Sequence, residues 1–352
     1  MNILVDIGHP AQVHLFKHFV REAERRGHAV TVYAREKEHT LHLLAAEGIT
    51  PWGFTRARGT LAWNMAELLV RDIDIWRLVR RRRIQVAVGT SIPISHATLA
   101  GGVKSFVFNE DDLDVVPLMG KLAYPFCSGI VAPRCVRMGR WAHKHVAYDG
   151  YQKLAYLHPN RFTPDAAVPE RFGINPRAPY FLLRLTAFNA YHDDSHWGLA
   201  PAQVRMLVER LRPHGRVLIS SENPLPAEWE SMRLSVPPEH IHHVMAFAQL
   251  FIGDGQSMIT ESALLGTPAI RCNTFIGRSS VLDEIENKYR LAHGFLPSQF
   301  AAMLETIDAL LTNPHAKAEC QDKRNGLLRD KVDVTAWMLD FIENQGRPAK
   351  GC

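Results

Sequence analysis

Short apolar strands alternate with amphipathic helices along this chain, and this alternation limits the possible fold more than any other feature. Residues 2–7 read as a buried strand, a helix follows, and residues 29–34 read as a second strand. Apolar residues of that helix recur every three to four positions, as a helix requires. They are Val13, Phe16, Phe19, Val20 and Ala23. Such a strand–helix–strand unit predicts a parallel sheet with a right-handed crossover.

The alternation continues through the first half of the chain and starts again in the second half. In the first half, further strands are predicted at 86–88, 105–108 and 129–132, and helices near 38–47, 64–82 and 93–101. In the second half, strands are predicted at 180–185, 216–220, 249–253 and 269–272, and helices at 201–211, 257–265 and 300–312. Helices placed between apolar strands predict a doubly wound α/β fold in each half.

A proline-rich segment separates the two halves. Residues 158–179 contain five prolines and little periodicity, which is typical of a linker. The 352 residues also exceed what one hydrophobic core usually supports. We therefore expect two Rossmann-like domains, residues 1–165 and 172–330, that face a central cleft. A final helix within 331–346 has apolar surface to bury, and we expect it to pack back on the first domain.

The composition limits the class of protein. Apolar residues make up 46% of the chain and charged residues 22%, which is typical of globular proteins. The net charge of +5 suits ligands that carry phosphate, but no zinc-finger spacing or long basic tract indicates a nucleic-acid partner. The five cysteines are scattered and lack metal-ligand spacing. With no signal-peptide pattern and no apolar run of membrane-spanning length, we expect a reduced, cytoplasmic protein without a metal or other cofactor.

The most informative motif is the segment 251–270, FIGDGQSMITESALLGTPAI, which reads as strand, glycine turn, helix and strand. Gly253 and Gly255 would let the backbone turn sharply and approach a ligand, and Ser257 is placed to cap the helix. The helix N-terminus, preceded by Gly255 and Gln256, would then offer N–H groups to a diphosphate. A purely structural strand–turn–helix with a convenient cap is an equal alternative. The motif lacks the GxGxxG spacing of a dinucleotide-binding protein, which argues against an NAD enzyme.

Polar side chains near the ends of the second-half strands extend this predicted site. Glu261 lies one turn into the helix, where a carboxylate can accept hydrogen bonds from ribose hydroxyls. Arg184 lies at the end of the first strand, where a guanidinium can neutralise phosphate; an ion pair with Asp193 or Asp194 is the alternative.

Further polar residues of the second half are candidates for the same site because of their positions in the sequence. Ser220, Ser221 and Glu222 end another strand and are candidates for a base pocket, and His192 is a weaker candidate for the cleft.

Polar residues also follow the first strand of the chain. His9, Gln12 and His14 lie at the start of the first helix, and Ser91 follows a later strand. His9, Gln12 and Ser91 are candidates for contacts on the acceptor side, and His14 is the candidate catalytic base. An imidazole has a pKa near 6.5, which suits removal of a proton from an acceptor hydroxyl. A partly exposed helix histidine without a catalytic role is the alternative for His14.

The acidic segment Asn109–Asp112 follows the strand that ends at Phe108. Crowded carboxylates raise one another's pKa, which makes Glu110 and Asp111 candidates for acid–base chemistry. A solvated acidic loop is the alternative. Arg80–Arg83 form a basic run at a helix end, where arginines stabilise the helix dipole. Contact with lipid phosphates at a membrane surface is the second explanation for this run.

The sequence resembles domain-of-unknown-function family 354, within the superfamily of glycosyltransferase-B proteins and UDP-N-acetylglucosamine 2-epimerases. The resemblance rests on the segments VHLFKHF, FNEDD, YQKLAYLHPNRFTPD, LRLTAFNAYHDD and GQSMITESALLGTPAIRCN. It implies the two-domain glycosyltransferase-B architecture, a nucleotide-binding role for Glu261 and a sugar-facing role for His14. The chain departs from the superfamily's paired glycines at the phosphate turn, because it has Gly255 followed by Gln256.

These observations lead to one preferred function and two alternatives. We expect a glycosyltransferase that uses a nucleotide-sugar donor and a sugar or lipid-linked acceptor in surface polysaccharide or glycolipid synthesis. A non-hydrolysing nucleotide-sugar epimerase is the enzymatic alternative, and a nucleotide-sugar-binding protein without activity is the other. Peripheral contact with the inner face of a membrane stays open.

Overall fold

The computed structural model describes residues 1–56, 61–185, 198–221 and 224–344. They form two compact units. The first unit is Met1–Arg161 together with the segment from Lys331 onward, and the second is Phe162–Asp330. Each contains a parallel sheet with helices between its strands, which confirms the α/β class predicted from the alternation.

The first unit holds a seven-stranded sheet within the described residues. Its strands are β1 (Asn2–Ile7), β2 (Ala29–Glu36), β3 (Gly53–Arg56), β4 (Val86–Gly89), β5 (Lys104–Phe108), β6 (Gly129–Pro133) and β7 (His145–Tyr148). All neighbours are parallel, in the order β3-β2-β1-β4-β5-β6-β7. Its first helices are α1 (Pro10–Arg25), α2 (Thr40–Ala46), α3 (Leu61–Arg82), α4 (Ile92–His96), α5 (Pro117–Leu122) and α6 (Leu154–Leu157).

The core of the first unit follows from the sequence pattern. The run Ile3-Leu4-Val5 is buried in the centre of the sheet, as a strand covered on both faces must be. The predicted apolar face of α1 is buried, which confirms the periodicity. Gly27 follows the helix with φ +82°, a left-handed conformation that glycine adopts without strain.

The second unit holds a five-stranded parallel sheet in its described part. Its strands are β8 (Tyr180–Leu185), β9 (Arg216–Ser221), β10 (Leu250–Gly253), β11 (Ala269–Cys272) and β12 (Ala292–Phe295), in the order β12-β11-β10-β8-β9. Its helices are α7 (Ala167–Arg171), α8 (Pro201–Leu211), α9 (Ile241–Phe247), α10 (Ser257–Leu264), α11 (Ser280–Asp283), α12 (Phe300–Thr312) and α13 (Ala316–Asp330). The central strands β10 and β8 are neighbours, so their carboxyl ends lie at the same edge.

The last helix, α14 (Val334–Glu343), packs on the first unit. The ring of Phe341 lies edge-on to Phe106 of β5, with 4.8 Å between ring centroids. Trp337 lies 5.0 Å from Tyr148, and the hydroxyl of Thr335 donates to the carbonyl of Ala155 at 2.8 Å. Burial of these rings holds the C-terminal helix against the first sheet.

The structure contains several elements that the pattern did not predict. Strands β7 and β12 have only four residues each, too few to show a period. Helix α13 is polar on most of its surface, with Cys320 and Leu327 as its buried residues, so its apolar stripe is weak. The proline-rich segment is not an extended linker throughout, because it includes α7. Among the described residues no helix combines the length and apolar character needed to cross a bilayer.

Candidate functional site

The turn between β10 and α10 lies at the carboxyl edge of the second sheet, where ligands bind in open α/β sheets. Helix α10 begins at Ser257, and the preceding residue, Gln256, makes no side-chain capping bond. The first turn of the helix contains no acidic residue. The prediction that Ser257 caps the helix is therefore wrong. Ser257 is the first residue inside the helix, and its side chain is exposed. A helix start that no side chain caps leaves its N–H groups for an anion.

The two glycines before this helix act differently from the prediction. Gly253 is the last residue of β10, and neither it nor Gly255 has a left-handed φ. Gly253 is instead favoured by close packing, because a Cβ there would lie 3.2 Å from the ring of Phe251 and 3.3 Å from the Cβ of Arg184. The amide of Asp254 donates to the carbonyl of Arg184 at 3.4 Å. The glycine thus allows the start of the turn to lie directly against β8.

Arg184 and Ser220 lie together at this edge. They are partners in the parallel register of β8 and β9, and the Nη1 of Arg184 donates to the Oγ of Ser220 at 2.8 Å. The structure therefore brings two predicted site residues into contact, next to the β10–α10 turn. The predictions for His192, Asp193, Asp194 and Glu222 lie outside the described residues.

Glu261 is buried on α10 and faces a histidine from another helix. Its Oε1 lies 3.3 Å from the Nε2 of His242 on α9, and both side chains are more than nine-tenths buried. This contact was not predicted, because residues nineteen positions apart in sequence show no pattern that pairs them. It holds the carboxylate in a fixed position one turn below the helix start.

Arg271 is a further charged residue of this unit that the sequence analysis missed. It lies on β11, is fully buried, and binds the Oε1 of Glu286 through Nε at 3.1 Å and Nη2 at 2.9 Å. Burial raises the pKa of Glu286, although Arg271 acts against that rise. The Nη1 of Arg271 has no hydrogen-bond partner among the described residues. Its position within the apolar run Ala269–Cys272 could have indicated a buried charge from the sequence alone.

In the first unit, the residues predicted on the acceptor side have structural bonds. The Nδ1 of His9 accepts from the amide of Ala11 and so caps α1, at 3.2 Å. The Oε1 of Gln12 accepts from the amide of Gly8 at 2.6 Å. His14 is buried in the second turn of α1, with its ring 5.2 Å from that of Tyr156. His14 is thus buried rather than partly exposed, and both its catalytic role and the alternative of a purely structural histidine stay predictions.

The acidic segment after β5 separates into three different environments. Glu110 accepts from the amide of Gln152 at 2.9 Å and binds the ammonium of Lys153. Asp112 is buried and accepts hydrogen bonds from the backbone amide and the guanidinium of Arg137.

Asp111, the residue between them, is half-buried and forms no ion pair with any described residue. Burial raises its pKa, and the neighbouring charge of Glu110 adds to the effect. Asp111 therefore differs from its two neighbours, which are held by Lys153 and Arg137.

A buried ion pair near the start of the chain was also missed. Asp6, the second-to-last residue of β1, is fully buried and binds the Nη2 of Arg71 at 2.5 Å. The hydroxyl of Ser91 donates to the other oxygen of Asp6 and also accepts from the amide of Ile94, which caps α4. The predicted acceptor-side residue Ser91 thus has two structural bonds. Across the described residues no cluster of His, Cys, Asp and Glu has the arrangement of a metal site.

Sequence comparison identifies the family. Residues 1–288 match the family described as "Protein of unknown function (DUF354)". The chain belongs to the DUF354 family. No curated protein matches the DUF354 chain in sequence.

Solved structures similar to the DUF354 chain include two classes of enzyme. The Neisseria meningitidis UDP-GlcNAc 2-epimerase bound to UDP-GlcNAc has a TM-score of 0.72 at 12% identity, covering 98% of this chain and 100% of that one. S. aureus MnaA with UDP has a TM-score of 0.70 at 11% identity, covering 98% and 96%. The calicheamicin glycosyltransferase CalG4 has a TM-score of 0.57 at 14% identity, covering 99% of each chain. The DUF354 chain therefore has the glycosyltransferase-B fold.

Proposed function

We propose that this DUF354 protein is a glycosyltransferase that takes its donor as a nucleotide sugar, with the diphosphate at the start of α10. The observation that carries the proposal is the start of α10, where the side chain of Gln256 makes no capping bond and the first turn holds no acidic residue, with Arg184 packed against Gly253 at the end of β10. Helix N–H groups and a guanidinium are the groups that bind phosphate in proteins. Gly255, Gln256 and Ser257 would hold the diphosphate.

The rest of the donor would lie against two further groups of the second unit. Glu261 would accept hydrogen bonds from the ribose hydroxyls, because His242 fixes its carboxylate. Ser220 would support Arg184 through their direct bond. The nucleotide sugars named in the similar structures support this assignment, since the same fold holds UDP in one and UDP-GlcNAc in another.

The first unit would supply the acceptor side and a single base. Transfer to a hydroxyl needs one group that removes its proton. Glu110 and Asp112 are held in ion pairs, whereas Asp111 is accessible and its raised pKa moves toward the range a general base needs. We assign the base to Asp111 and keep His14 as the alternative, because the imidazole is buried beside Tyr156. A sugar or lipid-linked acceptor, as in polysaccharide or glycolipid synthesis, fits this proposal.

A nucleotide-sugar epimerase is the second candidate, and the fold comparison favours it. The TM-score to the UDP-GlcNAc 2-epimerase, 0.72, exceeds the 0.57 to the glycosyltransferase. An epimerase of the non-hydrolysing kind must remove a proton from carbon and eliminate the nucleotide, which takes acid–base groups on both sides of the sugar. Because two of the three carboxyl groups after β5 are neutralised by cations, we prefer the reaction that needs one base.

Incubation with nucleotide sugars in deuterated water separates the candidates. The protein is first screened against nucleotide sugars by thermal shift, since a ligand at 100 times its Kd stabilises by about 2.7 kcal/mol. The preferred donor is then incubated in deuterated water without acceptor. A transferase leaves carbon 2 of the sugar undeuterated and turns over when acceptor is added. Deuterium at carbon 2 in the intact nucleotide sugar would overturn the transferase proposal and establish the epimerase. Binding without either reaction would identify a nucleotide-sugar-binding protein.

A further inference from the structure

The outer face of α3 is apolar, against the usual arrangement of a surface helix. Its exposed large apolar side chains have between 40% and 63% of their surface in contact with solvent. They are Trp63, Met65, Leu69, Val70, Ile73 and Trp76. At 3.6 residues per turn these positions fall along one side of the helix. Monomeric proteins rarely leave such a continuous apolar stripe open unless it binds something.

The acidic residues of α3 are partly or largely buried and are bonded within the first unit, although Asp72 lies beside Ile73 and Trp76 of the stripe. Glu67 binds Arg35, and Asp74 accepts from the hydroxyl of Tyr33 at 2.7 Å. Asp72 lies 3.0 Å from the Nδ1 of His96 on α4. No exposed residue between positions 63 and 83, a stretch that the structure describes in full, is acidic. The fully exposed side chains of this stretch are therefore apolar or basic apart from Asn64. Asp72 and Asp74 keep 24% and 30% of their side-chain surface exposed.

Neighbouring segments extend the apolar surface. A groove of about 320 Å³ lies between α3 and the segment after β4, with Ile73, Trp76 and Leu99 among its lining residues. His96 joins this groove to the segment after α5: its Nε2 lies 2.8 Å from the carbonyl of Leu122, and its ring contacts Phe126. Leu99, Leu122 and Phe126 are all exposed. The stripe is thus part of a wider apolar face, which we call the α3 face.

Arginines follow the apolar stripe at the C-terminal end of α3. Arg77 and Arg80–Arg83 are all exposed. None of Arg80–Arg83 forms an ion pair with a carboxylate of the described residues, although Arg77 lies 3.7 Å from Asp74. The guanidinium of Arg80 lies over the ring of Trp76, 4.1 Å from its centroid. An aromatic ring beside a cation at the edge of an apolar surface matches the boundary between acyl chains and headgroups.

We propose that the α3 face docks on the surface of an anionic lipid bilayer. Trp63, Leu69, Ile73 and Trp76 enter the headgroup boundary, and Arg80–Arg83 contact lipid phosphates. The charge pattern selects this partner. Asp72 and Asp74 beside the stripe are bonded to His96 and Arg77, which leaves Arg80–Arg83 as the exposed charges without an ion pair among the described residues, and such a positive excess attracts anionic lipids. Such a surface would hold the protein beside a lipid-borne acceptor, but the inference rests on the α3 face alone and not on the proposed reaction.

Vesicle flotation tests the proposal with the full-length protein. Vesicles are made of about 70% phosphatidylcholine and 30% phosphatidylglycerol, or of phosphatidylcholine alone. We expect binding to the anionic vesicles that weakens as salt rises, because each arginine at the surface contributes about fivefold. Leu69→Ser/Ile73→Ser and Arg81→Glu/Arg82→Glu should each reduce the partition coefficient at least tenfold. All four side chains are exposed, so these variants should unfold at the wild-type temperature.

Matched controls come from the second unit. Met206→Ser removes an exposed apolar side chain of α8, and Arg171→Glu/Arg177→Glu reverses two exposed arginines. We expect both controls to bind vesicles as the wild type does. Equal losses in the controls would show a non-specific effect of charge or hydrophobicity and overturn the assignment to the α3 face.

Quenching by brominated lipids then locates the contact. Bromines on the acyl chains should quench part of the tryptophan fluorescence of the wild type, and Trp63→Phe/Trp76→Phe should lose most of that quenching while still binding. Absence of binding to anionic vesicles would overturn the proposal. So would sedimentation that shows a stable dimer abolished by Leu69→Ser/Ile73→Ser, because a second copy of the chain would then occupy the face.

Discussion

Replacement of Glu261 by glutamine is the sharpest test of the nucleotide site. The side chain is buried on α10, and its Oε1 lies 3.3 Å from His242. Glutamine keeps the size of the side chain and an oxygen that can accept from His242, so the fold should lose less than about 1 kcal/mol. For a domain of this size that corresponds to a fall in melting temperature of at most about 2–4 °C.

The loss of affinity follows from the charge of the acceptor. A hydrogen bond to a charged group contributes about 1.5–3 kcal/mol and a neutral one about 0.5–1.5 kcal/mol, a difference of about 1–1.5 kcal/mol for each ribose hydroxyl. Two such bonds give about 2–3 kcal/mol, so the Kd should rise about 30- to 150-fold. Burial keeps solvent from screening the difference.

Isothermal titration calorimetry with a panel of nucleoside diphosphates, UDP among them, measures the change, and thermal unfolding in the absence of ligand checks the fold. His242→Gln is the matched control, because its amide can still donate to Glu261 and it leaves the carboxylate in place. We expect its Kd to stay within about threefold of the wild type. If Glu261→Gln binds the nucleotide as tightly as the wild type, the carboxylate is not part of the site. If both variants lose affinity equally, the effect belongs to the packing of α9 on α10.

Three further predictions concern the first unit. Asp111→Asn should lower kcat by a factor of about 10²–10⁴ and leave the donor Kd unchanged, whereas His14→Gln should lower kcat by less than about tenfold. Measurement of kcat and donor Kd for both variants tests this, and a larger loss of kcat in His14→Gln than in Asp111→Asn would move the base to His14. Asp6→Ala should destabilise by about 3–5 kcal/mol in urea unfolding, because it leaves Arg71 buried without its partner; a loss below about 1 kcal/mol would contradict that reasoning. Burial, helped by nearby cations, lowers the pKa of His18 to about 4, so only the unfolded chain binds its proton between pH 6.5 and 4. The free energy of unfolding should therefore fall by about 1–2 kcal/mol, after allowance for partial exposure, as the pH is lowered from 6.5 to 4. His18→Gln should reduce this dependence of stability on pH.

The sequence was sufficient for most of the fold because strand burial and helix amphipathicity are local patterns. The apolar run Ile3-Leu4-Val5 predicts a buried strand, and the apolar periodicity of α1 predicts its buried face, each from a few neighbouring residues. The turn 251–270 likewise shows its strand, turn and helix in order. Its details could not be predicted in the same way: Ser257 lies inside the helix rather than at the cap, and Gly253 is favoured by its contact with β8.

The chemical character of the candidate site depended on contacts between distant residues. The three carboxyl groups from Glu110 to Asp112 look alike in sequence, and only Lys153 and Arg137, brought near by the sheet, separate Asp111 from its neighbours.

The same holds for helix α3. Its sequence permits either an apolar or a charged face to be buried. The first unit buries Ile75, Leu78 and Val79 together with Arg71, which pairs with Asp6, and leaves Trp63 and Trp76 outside. Periodicity therefore determines which segments form strands and helices. Where a helix such as α3 has apolar residues on more than one side, its orientation also depends on the partner that a buried charge such as Arg71 finds across the sheet, which no local pattern reveals.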